Sequence, residues 1–372
     1  MSKYLILPEH WVKSLRTGEF YQIKIKAMKK YLLFFAAAFY NCIAIAQTDK
    51  VPFMTKTFAN ETIKSVEVET SGGSIVVTAV NPSEARVEVY IRSNNGNELS
   101  KEEIQKRLDE KYELTVSIAD NKVTAIAKRK SNNENRGWKN FLNITFKVFT
   151  AKEVSTKLTT SGGSISLSDI SGNQDFATSG GSLLVANVSG KINGVTSGGS
   201  INVTNSSGDI KLSTSGGSIV ATNNTGNIKL ITSGGSIILS KLSGDIDAIT
   251  SGGSIKGESI GGTLAANTSG GSIFLKDLAC SVDAATSGGS INVIVKELGQ
   301  YVKLSTSAGN IDLEIPKDKG VKLEMYASKI KTDHLENFSG NVEEDEINGT
   351  LNGGGTLIKL KAGSGKISLA LK

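Results

Sequence analysis

Thr160-Ser-Gly-Gly-Ser-Ile165 is the phrase that decides the fold, because it returns at Thr178, Thr196, Thr214, Thr232, Thr250, Thr268 and Thr286. Leu183 replaces the isoleucine once, and every step between copies is 18 residues. A ninth, degenerate copy follows at Ser307-Ala308-Gly309-Asn310-Ile311 after a step of 20, and an outlying copy stands at Thr70–Ile75. A fixed short period of this kind predicts units that stack on one another, each too small to bury its apolar face alone. With each phrase Ile as offset zero, apolar residues fall at 0 and +2 (Ile237, Leu239) and at +9 and +11 (Ile228, Leu230, counted from Ile219). Period-2 alternation in two short runs predicts two strands per unit with those side chains inward. The expected architecture is all-β: a parallel β-solenoid of 18-residue coils, two short strands per coil. It would be right-handed by the general preference for parallel crossovers. Eight coils at ~4.8 Å each would extend roughly 38 Å.

Rival repeats fit less well. A left-handed hexapeptide helix also has 18 residues per coil but needs an apolar residue every six positions. A calcium-binding nonapeptide roll requires G-G-x-G-x-D, whereas here Ser and Ile follow the glycines and no Asp recurs in the phrase. The glycine pair reads as a tight corner at positive φ, where a side chain would also have no room. The Thr and Ser columns read as hydrogen-bonding ladders along the stack.

Outside the repeats the chain divides further. Residues 1–27 read as an over-extended start. Residues 28–46 read as a signal peptide, with Met28-Lys29-Lys30, an apolar run from Tyr31 to Tyr40, and Ala44-Ile45-Ala46 before Gln47. Cleavage is expected between Ala46 and Gln47, and no second run in the mature chain is long enough for a transmembrane helix. Residues 48–160 form an N-terminal cap with strands at Arg86–Ile91, Tyr112–Ile118, Lys122–Lys128 and Phe141–Phe149. It contains one short helix at 101–110, opened by the capping box Ser100-Lys-Glu-Glu103. Asp120-Asn121 predicts a hairpin turn. The solenoid occupies 161–311, and 312–372 reads as degenerate coils that close the stack.

Composition narrows the function. The net charge is +6. Removing the seven Lys/Arg and two Asp/Glu of residues 1–46 leaves 35 basic against 34 acidic residues. A near-neutral chain offers no electrostatic reason to bind nucleic acid. Between Ser161 and Ser290 the aromatic residues are Phe176 and Phe274 alone. The mature chain holds one histidine, His334, and one cysteine, Cys280. Neither a zinc cluster nor a Cys–His nucleophile pair can be assembled from these, and no cofactor is expected.

Three functional readings follow. The outward offset +1 carries Leu184, Val220, Ile238 and Phe274, a stripe suited to a protein or glycan surface. On the opposite face Asp245 and Asp247 point the same way and could serve a carbohydrate-active enzyme. The Thr column could bind ice or another ordered surface.

The repeats, the run Phe141–Ile165 leading into them, and the ending Asn348-Gly349, Gly353-Gly354-Gly355 and Ser364-Gly365-Lys366-Ile367 together resemble a family of exported bacterial β-strand-repeat proteins of unknown function described as candidate adhesins. The resemblance covers about residues 60–370. It implies a right-handed solenoid and adhesion at the cell surface, in the extracellular space or in the periplasm, and it supplies no catalytic residues.

Overall fold

The computed structural model describes residues 51–94, 98–130 and 141–372. Strands β1 (Met54–Thr57), β2 (Ser65–Thr70), β3 (Ile75–Ala79) and β4 (Arg86–Ser93) come first. Helix α1 (Lys101–Lys111) and strands β5 (Tyr112–Ala119), β6 (Lys122–Arg129) and β7 (Leu142–Thr150) follow. Alternation sets their faces: in β2, Val66 and Val68 are buried while Glu67 stays at the surface. The Ser100 hydroxyl accepts the Glu103 amide at 3.2 Å, as a helix cap should. The other half of the capping box does not form, because the Glu103 carboxylate takes the Arg107 guanidinium at 2.6 Å. Ile104 and Leu108 turn inward. Asp120 (φ 52°) and Asn121 (φ 60°) make the β5–β6 hairpin turn, the pair of left-handed residues that a type I′ turn demands.

In the repeats the 18-residue period becomes a backbone period. Strands β8 (Ser155–Thr160), β10 (Ser171–Thr178), β12 (Ser189–Thr196), β14 (Ser207–Thr214) and β16 (Thr225–Thr232) form one parallel row. Strands β9 (Ile165–Ser168), β11 (Leu183–Ala186), β13 (Ile201–Thr204) and β15 (Ile219–Thr222) form a second. In both rows each residue lies beside its equivalent 18 positions on, as Leu183 beside Ile201 and Ile201 beside Ile219. Strands β17 (Ile237–Thr250), β18 (Ile255–Thr268), β19 (Ile273–Thr286) and β20 (Ile291–Thr306) run through both rows. The described strands therefore join one long mixed sheet. The two extra residues of the 20-residue step form a bulge, since Cys280 pairs with Leu298 but Val282 with Val302.

Offsets 0, +2, +9 and +11 are buried as expected. The halves are unequal, however: strands β9 to β16 alternate four and eight residues rather than repeating one half twice. The reason is a corner at +4. Asp169, Asn187, Asn205, Asn223, Lys241, Ser259 and Asp277 all sit there with φ between 51° and 62°. That kink breaks the alternation, so +3 and +4 both face outward and +5 turns in. Ile170, Val188, Leu242, Ile260 and Leu278 fill this third inward column, with Ser206 and Asn224 taking the place in two units.

The glycine pair is not the positive-φ corner. Left-handed glycines lie instead at +7, from Gly172 to Gly262. The pair recurs for packing. A Cβ on Gly199 would stand 1.9 Å from the Gly181 carbonyl oxygen, whereas one on Gly198 would meet nothing closer than 3.6 Å. The preceding threonine ties the contact together: Thr196 Oγ1 donates to Gly181 O at 2.8 Å and accepts from Gly199 N at 3.2 Å. The same two bonds recur from Thr160 to Thr306.

The ends depart from chain order. The pair β2/β3 lies between β6/β7 and β8/β9, in parallel with both. Strands β5 and β4 then pair antiparallel to β6 and β7, and β1 to β4. The C-terminal side comprises β21 (Ile311–Ile315), β22 (Val321–Tyr326), β23 (Lys329–Thr332), β24 (Phe338–Val342), β25 (Glu346–Leu351), β26 (Thr356–Ala362) and β27 (Lys366–Leu371). Here the last pair is not outermost, as successive closing coils would require. β26 lies between β20 and β22, and β27 between β21 and β23. The antiparallel β22–β25–β24 ladder finishes the edge.

Candidate binding face

Offset +1 points outward along the row of four-residue strands, and pairing fixes the order of its side chains. The column runs Lys147, Val76, Ser166, Leu184, Asn202, Val220, Ile238, Lys256, Phe274, Asn292 and Asp312. Adjacent members are about one strand spacing, ~4.8 Å, apart. Of the four residues expected to form a stripe, Val220 and Ile238 are direct neighbours. Leu184 is separated from them by Asn202, and Phe274 by Lys256. Ile238 and Phe274 are 42% and 47% exposed, while Leu184 and Val220 are half-buried. The stripe is thus two exposed apolar side chains flanking a lysine, with two partly sheltered ones beyond. Strands β3 and β7 continue this row edgewise, and their Val76 and Lys147 extend the column.

Sequence reasoning missed Ile294, at offset +3 on β20 and 37% exposed. Its signal is the run Ile291-Asn-Val-Ile-Val295, where an apolar residue occupies a position that is Ser, Ala, Thr, Glu or Lys in the earlier units. The neighbouring +3 residues Glu258 and Lys276 form an ion pair at 2.7 Å. The face combines apolar groups, amides and paired charges on backbone held by in-register ladders.

The opposite face gathers charge, and Asp245 and Asp247 flank the buried Ile246 on the outward side of β17. Lys229 Nζ donates to Asp247 at 2.6 Å and Asn227 to Asp209 at 3.3 Å. The register partners of Asp245 are Asn227 and Thr263, and those of Asp247 are Lys229 and Ala265. No second carboxylate faces either residue across the ladder. Among the described residues no group of three or more His, Cys, Asp or Glu could hold a metal ion. Cys280 is buried, and burial pushes its thiol up to about 12.

The threonine column is overturned as a surface. Thr160 through Thr306 are buried, and their hydroxyls are engaged with the glycine turns. Ala46 and Gln47, the expected cleavage site, lie outside the described residues, as do the expected over-extended start at 1–27 and signal peptide at 28–46. No helix among the described residues is long and apolar enough to cross a membrane.

No family model matches the chain, and no curated protein matches it. Solved structures similar to it include a candidate cell adhesion protein from Clostridium sporogenes ATCC 15579 and a candidate adhesin from Bacteroides fragilis NCTC 9343. The first is 10% identical, covers 86% of this chain and 98% of its own, and has a TM-score of 0.19. The second is 12% identical, covers 86% and 96%, and has a TM-score of 0.21. Superposition this low carries nothing about function.

Proposed function

We propose that the chain is an exported, non-catalytic protein that acts as an adhesin or surface scaffold, built as a right-handed parallel β-solenoid of 18-residue coils. The observation that carries the reading is the pair Ile238 and Phe274, exposed on a regular face where their spacing is fixed by pairing. An apolar group standing in water on a rigid lattice gains by being covered, and the charges and amides around it would orient the partner. The leader at 28–46 supports export, with release between Ala46 and Gln47. The partner is a protein or glycan surface, and the exposed half of the stripe is where it would dock.

The test is binding of the purified protein to cells and to a glycan panel, compared with the Ile238→Glu plus Phe274→Glu variant. Loss of binding by tenfold or more, with thermal unfolding unchanged, is the expected result. Equal binding by both proteins would overturn the stripe. Surface proteolysis and fractionation of the tagged protein place it in the cell, and recovery in the cytoplasm would overturn export.

A further inference from the structure

The last strand pair, β26/β27, is inserted rather than added. Its four neighbours, β20, β21, β22 and β23, all precede it in the chain. Between them lies a slot one layer wide, walled on both rows by strand edges whose pairing β26 and β27 complete. The slot takes a segment that buries Ile358, Leu360, Ile367 and Leu369.

The connection to it is short. Leu351 on β25 and Thr356 on β26 are both level with Val321, on opposite sides of β22. Two strand spacings, about 9.6 Å, separate them. Asn352-Gly353-Gly354-Gly355 carries the chain around the start of β22, all four at positive φ. The strap is close-fitting: a Cβ on Gly320 would stand 2.1 Å from Gly354 O, and the Asn352 amide donates to Lys317 O and Lys319 O at 3.0 and 3.1 Å.

We infer that the segment Thr356–Leu371 is an exchangeable arm, and that the slot between β20/β21 and β22/β23 takes the arm of a second copy of this chain. The arm of another copy makes every contact that the chain's own arm makes, so exchange conserves the pairing on both rows. What favours the chain's own arm is the strap, which holds it at high local concentration. Strap length therefore sets the balance. Without Gly353, Gly354 and Gly355, only Asn352 would join Leu351 to Thr356. Two Cα–Cα steps reach at most about 7.6 Å, short of the 9.6 Å needed, so the arm would have to leave for a neighbour.

Two variants, each with one introduced cysteine beside the buried Cys280, read the exchange directly. Ser305 and Lys361 are exposed register partners across β20 and β26. One preparation of the full chain carries Ser305→Cys and the other Lys361→Cys, both with Cys42→Ser. Each alone should give no covalent dimer. Co-refolded with the native strap, they should give a mixed covalent dimer on a non-reducing gel that increases with protein concentration. Deleting Gly353–Gly355 should raise that product at least tenfold and shift the mass by light scattering from monomer to dimer or higher. Absence of the mixed product at every concentration with the native strap overturns the proposal, whether or not the deletion variant folds. A deletion variant that stays monomeric overturns it as well.

Discussion

At the residue scale the glycine pair shows how one dipeptide holds two unlike requirements. A Cβ on Gly235 would fall 2.0 Å from Gly217 O, which is backbone and cannot step aside, while one on Gly234 would stop at 3.6 Å. Gly235→Ala should cost about 3 kcal/mol through forced backbone displacement. Gly234→Ala should fall within about 1 kcal/mol of the parent, tending to stabilise by restricting the unfolded chain. Urea midpoints of the two variants check this, and equal losses would refute the packing account. Cys280 gives a second prediction. Its thiol is held near 12 by burial against an ordinary 9.0. Above pH 9 the unfolded chain loses that proton while the folded chain keeps it, so stability falls as pH rises through this window. The loss by pH 10 should be about 1.4 kcal/mol. It should disappear in Cys280→Ala, measured as the difference between the two unfolding curves from pH 8 to 10.

At the element scale the third inward column sets a polar pair inside an apolar row. Asn224 Oδ1 accepts the Ser206 amide at 2.8 Å, and its Nδ2 donates to Val203 O at 3.1 Å. The next residue of the column is Leu242, so pattern alone would favour leucine at 224. Asn224→Leu should instead destabilise by about 2–4 kcal/mol, because two buried backbone groups lose their partners. Chemical denaturation decides it, and a more stable variant would show the amide to be dispensable. The column also marks the limit of what the sequence reveals. Ile237 and Leu239 could be placed inward because the period repeats them in kind. The corner that creates the column could not be placed, since its residues range from Asn and Asp to Lys241 and Ser259 and share only a backbone angle. The end strands were legible one by one but not in order. Val321-Lys-Leu-Glu-Met325 and Leu357-Ile-Lys-Leu360 both present alternating apolar edges, and either could rest on β20. The structure places the second of these beside β20 and the first beyond it. Within the candidate face, Ile238 and Phe274 followed from the period, whereas Ile294 interrupts it and was passed over.

At the scale of the whole molecule the stack behaves as a row of units joined to their neighbours, so one unit should be removable if its two neighbours can meet. Residues 255–272 are the suitable unit. Their excision would bring Ile237 beside Ile273, Leu239 beside Leu275 and Ala248 beside Ala284, like upon like in the inward columns. It would also remove Lys256, which now separates Ile238 from Phe274 in the outward column. The shortened chain should retain cooperative unfolding and lose about 4.8 Å in length by small-angle scattering. Its two most exposed stripe residues would become direct neighbours, extending the contiguous apolar run from Val220–Ile238 to Val220, Ile238 and Phe274. If the stripe is the docking surface, binding to cells or glycans should strengthen, and added Ile238→Glu should abolish the gain. Excising only residues 255–263 is the matched control. That shorter cut leaves offsets 0, +2, +9 and +11 apolar but sets Gly270 and Gly271 beside Ser243 and Gly244 and Ser269 beside Leu242, so the glycine contacts and the third inward column are lost and the protein should lose its cooperative transition. A chain that tolerated both deletions equally would not be held by an 18-residue register, and one that failed both would show that each unit depends on more than its two neighbours.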